Sequence, residues 1–484
     1  MTGGSGVDRR IRVRRGCDLA RADRCQGWND PWLPAPAPAA PGRANDRPAT
    51  RRGILLSRGI IVAVPALWSA TATAQLGEGL LVQPAIPGGF DRGRNISVTE
   101  RQRTDFDPLG IRVRSFLVQP TLELGVGGTS NTYNEANNPR ASALGYIAPA
   151  IAATSLWSRH RLQFSARGRF VRYADQSPRN ENTWNANLAG RVEFGSFVTI
   201  DSQLLAARSV EDFFSGDVAA NIAALSRYNT YYGVVRGTYT AGRTRAIVSV
   251  DHTDTRYGQI RFQDGSALDL TGRDRGVTRL TGQLDFARTP SVSLFVQTGG
   301  ARNAFIRPLT PGTADRDSVE YRLIGGMNFD LAGRARGSIG AGYSRRDFDS
   351  PTYKSVSGVS VEAKVELFPT DLSTYSLTVR RSIEDSVFSN GNPYFDSRVT
   401  LQLDRELRRN LIGNLSASYA KQNYQAAEIR DTNGYQFAAG ARYLSTRRFR
   451  LDMTVRYSNR STQGGTMGNR VGELRGQFGI VLQR

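Results

Sequence analysis

The sequence predicts an all-β fold: a transmembrane, antiparallel, up-and-down β-barrel of about eighteen strands, with sixteen as the alternative count and both ends periplasmic. Three observations lead there. From residue 115 onward, apolar and polar side chains alternate. The connections between these alternating segments are themselves short and long by turns. No apolar run of 20 residues follows residue 75, although the chain is rich in aromatics, with 18 Tyr, 21 Phe and 5 Trp. A mean hydropathy of -0.40 is too polar for a helical membrane protein. It is ordinary for strands that are apolar on one face only.

The alternation is explicit. Val359, Val361, Ala363, Val365 and Leu367 share one face, with Ser360, Glu362, Lys364 and Glu366 on the other. Phe449, Leu451, Met453, Val455 and Tyr457 oppose Arg450, Asp452, Thr454 and Arg456 in the same way. Residues 162–170 and 395–404 repeat the pattern. Successive side chains change face only in an extended strand, so the period excludes a helix.

Segments of this kind fall at 115–127, 140–154, 160–173, 181–193, 197–208, 226–239, 243–253, 272–287, 291–303, 317–331, 334–346, 354–367, 372–382, 394–406, 410–422, 431–444, 448–458 and 470–483. Tight connections lie near Gly195, Ala241-Gly242, Thr289-Pro290, Ala332-Gly333 and Arg408-Arg409, among others. Longer ones at 128–139, 174–180, 209–225, 254–271, 304–316, 347–353, 383–393, 423–430 and 459–469 alternate with them. Short periplasmic turns, long outer loops and an even strand count are the habit of outer-membrane barrels. A secreted sandwich would share the alternation. A membrane sheet must also close on itself, because hydrocarbon leaves no partner for an edge.

The segments ahead of the strands serve other ends. Arg51, Arg52 and Arg58 flank the apolar stretch Gly59–Trp68, which runs out in Ser69-Ala-Thr-Ala-Thr-Ala74. A basic start, a short apolar run and small residues at Ala72 and Ala74 describe a signal peptide over 51–74, cleaved between Ala74 and Gln75. The run is too short to span a bilayer. Residues 1–50 read as a non-structural leader or a mis-assigned start. Residues 75–112, with Pro84, Pro87, Gly88, Gly89 and Pro108, read as a loosely ordered periplasmic lead-in to a barrel over 113–484. Both cysteines, Cys17 and Cys25, precede the signal, so the expected mature chain has no disulfide or thiolate metal site.

A formal charge of +21 raises the question of nucleic acid. Beyond residue 74 there are 52 basic and 38 acidic residues, spread along strands and not gathered in a stripe. Nucleic-acid binding is therefore set aside. The polar faces should instead line a lumen, with Arg167, Arg169, Arg236, Arg279, Arg322, Arg380, Arg398 and Arg456 beside Asp285, Glu362, Glu366, Asp404 and Asp452. Such charges either pair across strands or bias passage toward anions. Aromatics near strand ends, including Tyr173, Tyr239, Phe286, Phe329, Tyr343, Phe368, Tyr419, Tyr443 and Tyr457, are expected to form interface girdles.

The run from Asp105 to Tyr133 carries Asp107-Pro-Leu-Gly110 and then Phe116-Leu-Val-Gln-Pro120, and leads into a first strand followed by Asn131-Thr-Tyr133. It resembles the opening passage of the putative β-barrel porin 2 family of proteobacterial outer-membrane proteins, over roughly 105–484. The resemblance implies an outer-membrane location. It also implies a link to surface polysaccharide or attachment, and so a secretion conduit or accessory barrel. The chain departs from usual barrels by ending on Arg484, where an aromatic residue is customary.

Enzymatic chemistry finds little footing. Only His160 and His252 are present, and Ser249 lies on the opposite face of its strand from His252. No cofactor is expected. The leading expectation is a porin-like channel or export conduit for hydrophilic or anionic solutes. A non-conducting structural or adhesive barrel is the alternative, and an outer-membrane hydrolase is less favoured. Expected partners are outer-membrane lipids, lipopolysaccharide and the barrel-insertion machinery, with polysaccharide-export proteins if the conduit reading holds. The sequence does not specify an oligomeric state.

Overall fold

The computed structural model describes residues 95–484 apart from 213, 215–221, 309–311, 386–392, 425–430 and 463–469. The expected leader, the signal peptide with Ala72, Ala74 and Gln75, and the start of the lead-in lie outside the described residues. So do the centres of the long connections expected at 383–393, 423–430 and 459–469.

Eighteen long strands make one closed sheet. They are β1 (Phe116–Thr129), β2 (Ser142–Ser155), β3 (Arg161–Tyr173), β4 (Glu181–Phe194), β5 (Val198–Val210), β6 (Arg227–Ala241), β7 (Thr244–Tyr257), β8 (Arg275–Thr289), β9 (Val292–Phe305), β10 (Ser318–Leu331), β11 (Ala335–Phe348), β12 (Val356–Thr370), β13 (Ser373–Asp385), β14 (Pro393–Arg408), β15 (Leu411–Tyr424), β16 (Thr432–Leu444), β17 (Phe449–Thr462) and β18 (Arg470–Gln483). Each pairs antiparallel with the next, and β18 returns to β1 over Thr121↔Gln483 to Thr129↔Arg475. Chain entry into β1 and exit from β18 both lie at the short-turn end.

Local sequence explains the ends of the strands. Two-residue hairpins favour backbone with positive φ. Glycine supplies it in the two-residue turn at Gly242 (φ 57), and Gly195 (φ 62) supplies it in the three-residue turn between β4 and β5. The faces separate cleanly. Val250, Leu280, Leu323, Val359, Leu401, Met453 and Ile480 are about half exposed on the outer face. Their inward neighbours Asp251, Arg279, Arg322 and Ser360 are buried. Apolar side chains running all the way round a wall are not left to water.

The seam between β1 and β18 is locked from within. The ring of Tyr146, from β2, lies over Gly125 of β1 and Gly479 of β18, where any side chain would collide with it. Its hydroxyl donates to Glu123 Oε1 at 2.8 Å. Below the end of β18, Ile111–Val113 takes over the pairing, bonding antiparallel to Phe116–Val118.

Two details depart from the sequence reading. Tyr173 and Phe368 do not face outward as girdle residues. Tyr173 occupies inner-face register and donates to Glu181 Oε1 at 3.0 Å. Phe368 continues the inward parity of Glu362, Lys364 and Glu366 and is buried, its ring 5.5 Å from the Arg336 guanidinium. Three further strands, Ile222–Ala224, Gln259–Phe262 and Ala267–Asp269, lie inside expected loops and form a small antiparallel sheet of their own.

Candidate channel interior

The charged residues picked out from sequence occupy inner-face positions of their strands, and most have a partner there. Arg279 meets Asp251 at 3.1 Å and Arg322 meets Glu362 at 2.7 Å. Arg380 pairs with Glu384 at 2.7 Å, and Arg398 with Asp396 at 2.6 Å. Glu366 accepts from Arg336 at 2.5 Å. Asp285 accepts from Arg245, Gln283 and Asn328. Asp404 takes a bond from Gln402 at 2.8 Å. Asp452 stands between Arg442 and Arg450, each at 3.1 Å. Arg167 reaches Glu123 at 3.2 Å, while Arg169 stacks on Tyr146 at 4.0 Å and bonds Gln477. Arg236 and Arg456 make neither a hydrogen bond nor an ion pair among the described residues.

Sequence reasoning missed several members of this lining. Arg346 of β11 bonds Glu320 at 2.8 Å and Asp385 at 2.6 Å, and Asp385 also holds Arg275 at 2.8 Å. The alternation rule would have found Glu123, Glu320, Arg346 and Arg475. It could not have found Asp385, whose parity points outward. Pairing between β12 and β13 begins only at Val361↔Arg381. Beyond that point β13 bends inward, and the Ile383 carbonyl accepts from Arg346 at 3.2 Å.

Both mouths are narrowed by the chain's own segments. At the long-loop end, Ile222, Ile260 and Leu270 of the small sheet pack with Tyr228, Tyr257 and Val471. Val471 belongs to β18, six strands round the wall from β6. Arg273 fixes this cap through a buried pair with Glu211 at 2.6 Å.

At the short-turn end, residues 95–107 form a strap along the inner wall. Asn95 Nδ2 donates to Asp330 of β10 at 2.6 Å, and the Val98 amide donates to Thr374 of β13 at 3.0 Å. Glu100 pairs with Arg336 of β11 at 2.7 Å, and Arg103 pairs with Glu406 of β14 at 2.9 Å. Val98 and Phe106 pack on Ile412 of β15 and Leu444 of β16. Gln483 of β18 donates to the Phe106 carbonyl at 3.4 Å. Burial pushes the Glu100 carboxyl up, but the charge and hydrogen bond of Arg336, with bonds from Ser97, outweigh it and hold the group below its ordinary value. Residues 95–107 are thus held along the wall by bonds and contacts to seven strands.

The remaining candidates for chemistry stand apart. His160 accepts the Glu193 amide near a short turn. His252 faces outward and meets Thr278 Oγ1 at 2.8 Å, while Ser249 points to the interior and is buried. The sheet itself separates the two. Among the described residues, no group of three or more His, Cys, Asp or Glu is arranged to hold a metal ion. No helix there is long and apolar enough to cross a membrane, which leaves crossing by strands untouched.

Residues 103–484 match the family described as "Putative beta-barrel porin 2", and the chain belongs to it. It is an outer-membrane β-barrel of porin kind. No curated protein matches. Solved structures align with the chain at low identity. The outer-membrane protein opdK from Pseudomonas aeruginosa is 10% identical, with 76% of this chain and 99% of that one covered and a TM-score of 0.41. The copper transporter OprC is also 10% identical, over 80% and 82% of the two chains, at 0.43. A BenF-like porin from Pseudomonas fluorescens Pf-5 is 9% identical, over 77% and 100%, at 0.42.

Proposed function

We propose that the barrel is a porin-like channel for hydrophilic solutes, biased toward anions. Its apolar outer belt sits in hydrocarbon, with the short turns and both strand termini in the periplasm. The observation that carries this reading is an uneven inner wall. From β16 through β18 to β3, Arg167, Arg169, Arg442, Arg450, Arg456 and Arg475 outnumber Glu123, Asp452 and Glu473. Charge lining one side of a narrow aqueous path enriches the opposite ion.

Reconstitution into planar bilayers tests it. In a potassium chloride gradient the reversal potential should favour chloride, and the preference should shrink as salt rises. A barrel that never conducts would favour a second reading, a structural barrel, which the narrowed mouths and dense ion pairing support. Export of surface polysaccharide, implied by the family resemblance, would need the strap and cap to move aside. Residues 51–74 are read as a signal peptide cut before Gln75, and N-terminal sequencing of protein from the outer membrane checks this.

A further inference from the structure

We propose that Arg169, Arg456 and Arg475 form a discrete binding site for a small oxyanion, such as a carboxylate or sulfate, on the inner wall beside the β1–β18 seam. This rests on the channel reading only for what the site would serve, not for whether it binds.

Like charges placed directly across two strands are destabilising unless something compensates them. The inner wall contains such pairs, and most are compensated. Arg380 stands opposite Arg398. Each has its own carboxylate, Glu384 at 2.7 Å and Asp396 at 2.6 Å. Arg161 stands opposite Arg191, and Arg191 bonds Asp201 at 2.7 Å. Arg456 stands opposite Arg475, and this pair is different. Arg456 has no hydrogen bond or ion pair among the described residues, and the only carboxylate paired with Arg475 is Glu181, at 3.9 Å.

The neighbouring acids are already engaged. Glu123 serves Tyr146 and Arg167. Asp452 serves Arg442 and Arg450. Glu181 accepts from Tyr173 at 3.0 Å, and Glu473 from Thr129 at 2.5 Å. Arg169 is the third member. Its guanidinium lies over the Tyr146 ring at 4.0 Å and bonds the neutral Gln477, at 3.0 Å, and Tyr146 itself. Electrostatic coupling ties Arg456 to Arg475 and to Arg169, with Asp212 and Glu473 as the acids in reach.

Three guanidiniums, whose one ion pair among the described residues is the 3.9 Å contact of Arg475 with Glu181, lie together, Arg169 4.0 Å from the Tyr146 ring and Arg475 5.9 Å from the Tyr173 ring, and offer several N–H donors. Planar guanidiniums bind carboxylate and tetrahedral oxyanions through paired hydrogen bonds. A monatomic anion offers no such geometry, so the site should discriminate oxyanions from chloride.

The test is calorimetry on the detergent-folded, full barrel with sodium sulfate and sodium acetate, at constant ionic strength set by sodium chloride. Saturable binding of either oxyanion is expected, weakened about tenfold in Arg456→Gln and again in Arg169→Gln. Arg456→Lys should keep part of it. Heat-modifiable migration on gels verifies that each variant is folded, and either Gln variant suffices if the other does not fold. Absence of saturable binding by the folded wild type, or binding unchanged in a folded Gln variant, would overturn the site. Bilayer conductance judges the channel separately. Binding without conduction would sink the channel and spare the site, and conduction without binding would do the reverse.

Discussion

Glu100 shows how one carboxylate can couple a flexible-looking sequence to a rigid wall. Its partner Arg336 also holds Glu366 at 2.5 Å, so the strap joins a network the barrel already contains. A carboxyl depressed by docking favours the docked state above its free value, near 4.3. That contribution is lost as pH falls through the docked value. The expected outcome is a strap that loosens in acid. Because Glu100 is 39% exposed, its pairing with Arg336 is worth only about 0.5–1 kcal/mol after solvent screening. A fluorophore on Ile96→Cys, a half-exposed position, should report increased mobility between about pH 7 and about pH 3. Glu100→Gln should show weaker docking throughout and a flattened pH response. An identical acid transition in that variant would rule Glu100 out as the cause. Truncating the fully buried Val98 to Ala should loosen the strap by about 1.5 kcal/mol at any pH, read with the same probe.

Strands were the most legible feature of this chain, and the reason is geometric. A period of two survives along β12 and β17 because one face meets apolar surroundings and the other a polar interior. Tight turns announced themselves through Gly195 and Gly242. What the period could not reveal was any place where the wall is broken. The inward bend of β13 depends on lost pairing with β12, which leaves no mark on local alternation, whereas the inward Tyr173 and Phe368 follow the parity of their own strands. The strap and the small cap sheet were missed for a related cause. Their contacts join residues hundreds of positions apart, as Asn95 joins Asp330, and no spacing rule reaches that far. Of the interior, parity located most of the charges, but which arginines lack a carboxylate depends on neighbours two strands away. The outer face carries its own prediction. Val250, half exposed at the middle of β7, should tolerate Leu, whereas Val250→Arg should cost about 2–4 kcal/mol if it faces hydrocarbon. Folding equilibria in lipid vesicles measure this, and a cost near zero would place that position outside the bilayer.

At the scale of the whole barrel, the two mouths differ in how they are narrowed. The long-loop cap is built from connections that the strands themselves demand, while the strap is a separate run of chain applied to the opposite end. Removing residues 95–107 should therefore raise single-channel conductance without unfolding the wall, since β1 still closes on β18 through Thr121–Thr129. A deletion variant that stays folded and conducts like the parent would show that the strap does not limit flow.

The strap also bears on how the cylinder is assembled. It precedes β1 in the chain, yet it grips β10, β11, β13, β14, β15, β16 and β18. Those surfaces exist only after the later strands have been made and laid side by side. Residues 95–107 must therefore wait for the last strands, and their docking draws the leading edge of the sheet toward its trailing edge from inside. Closure and strap docking are then two halves of one late event. A barrel stalled with its seam open should leave residues 95–107 open to protease, and a closed one should protect them.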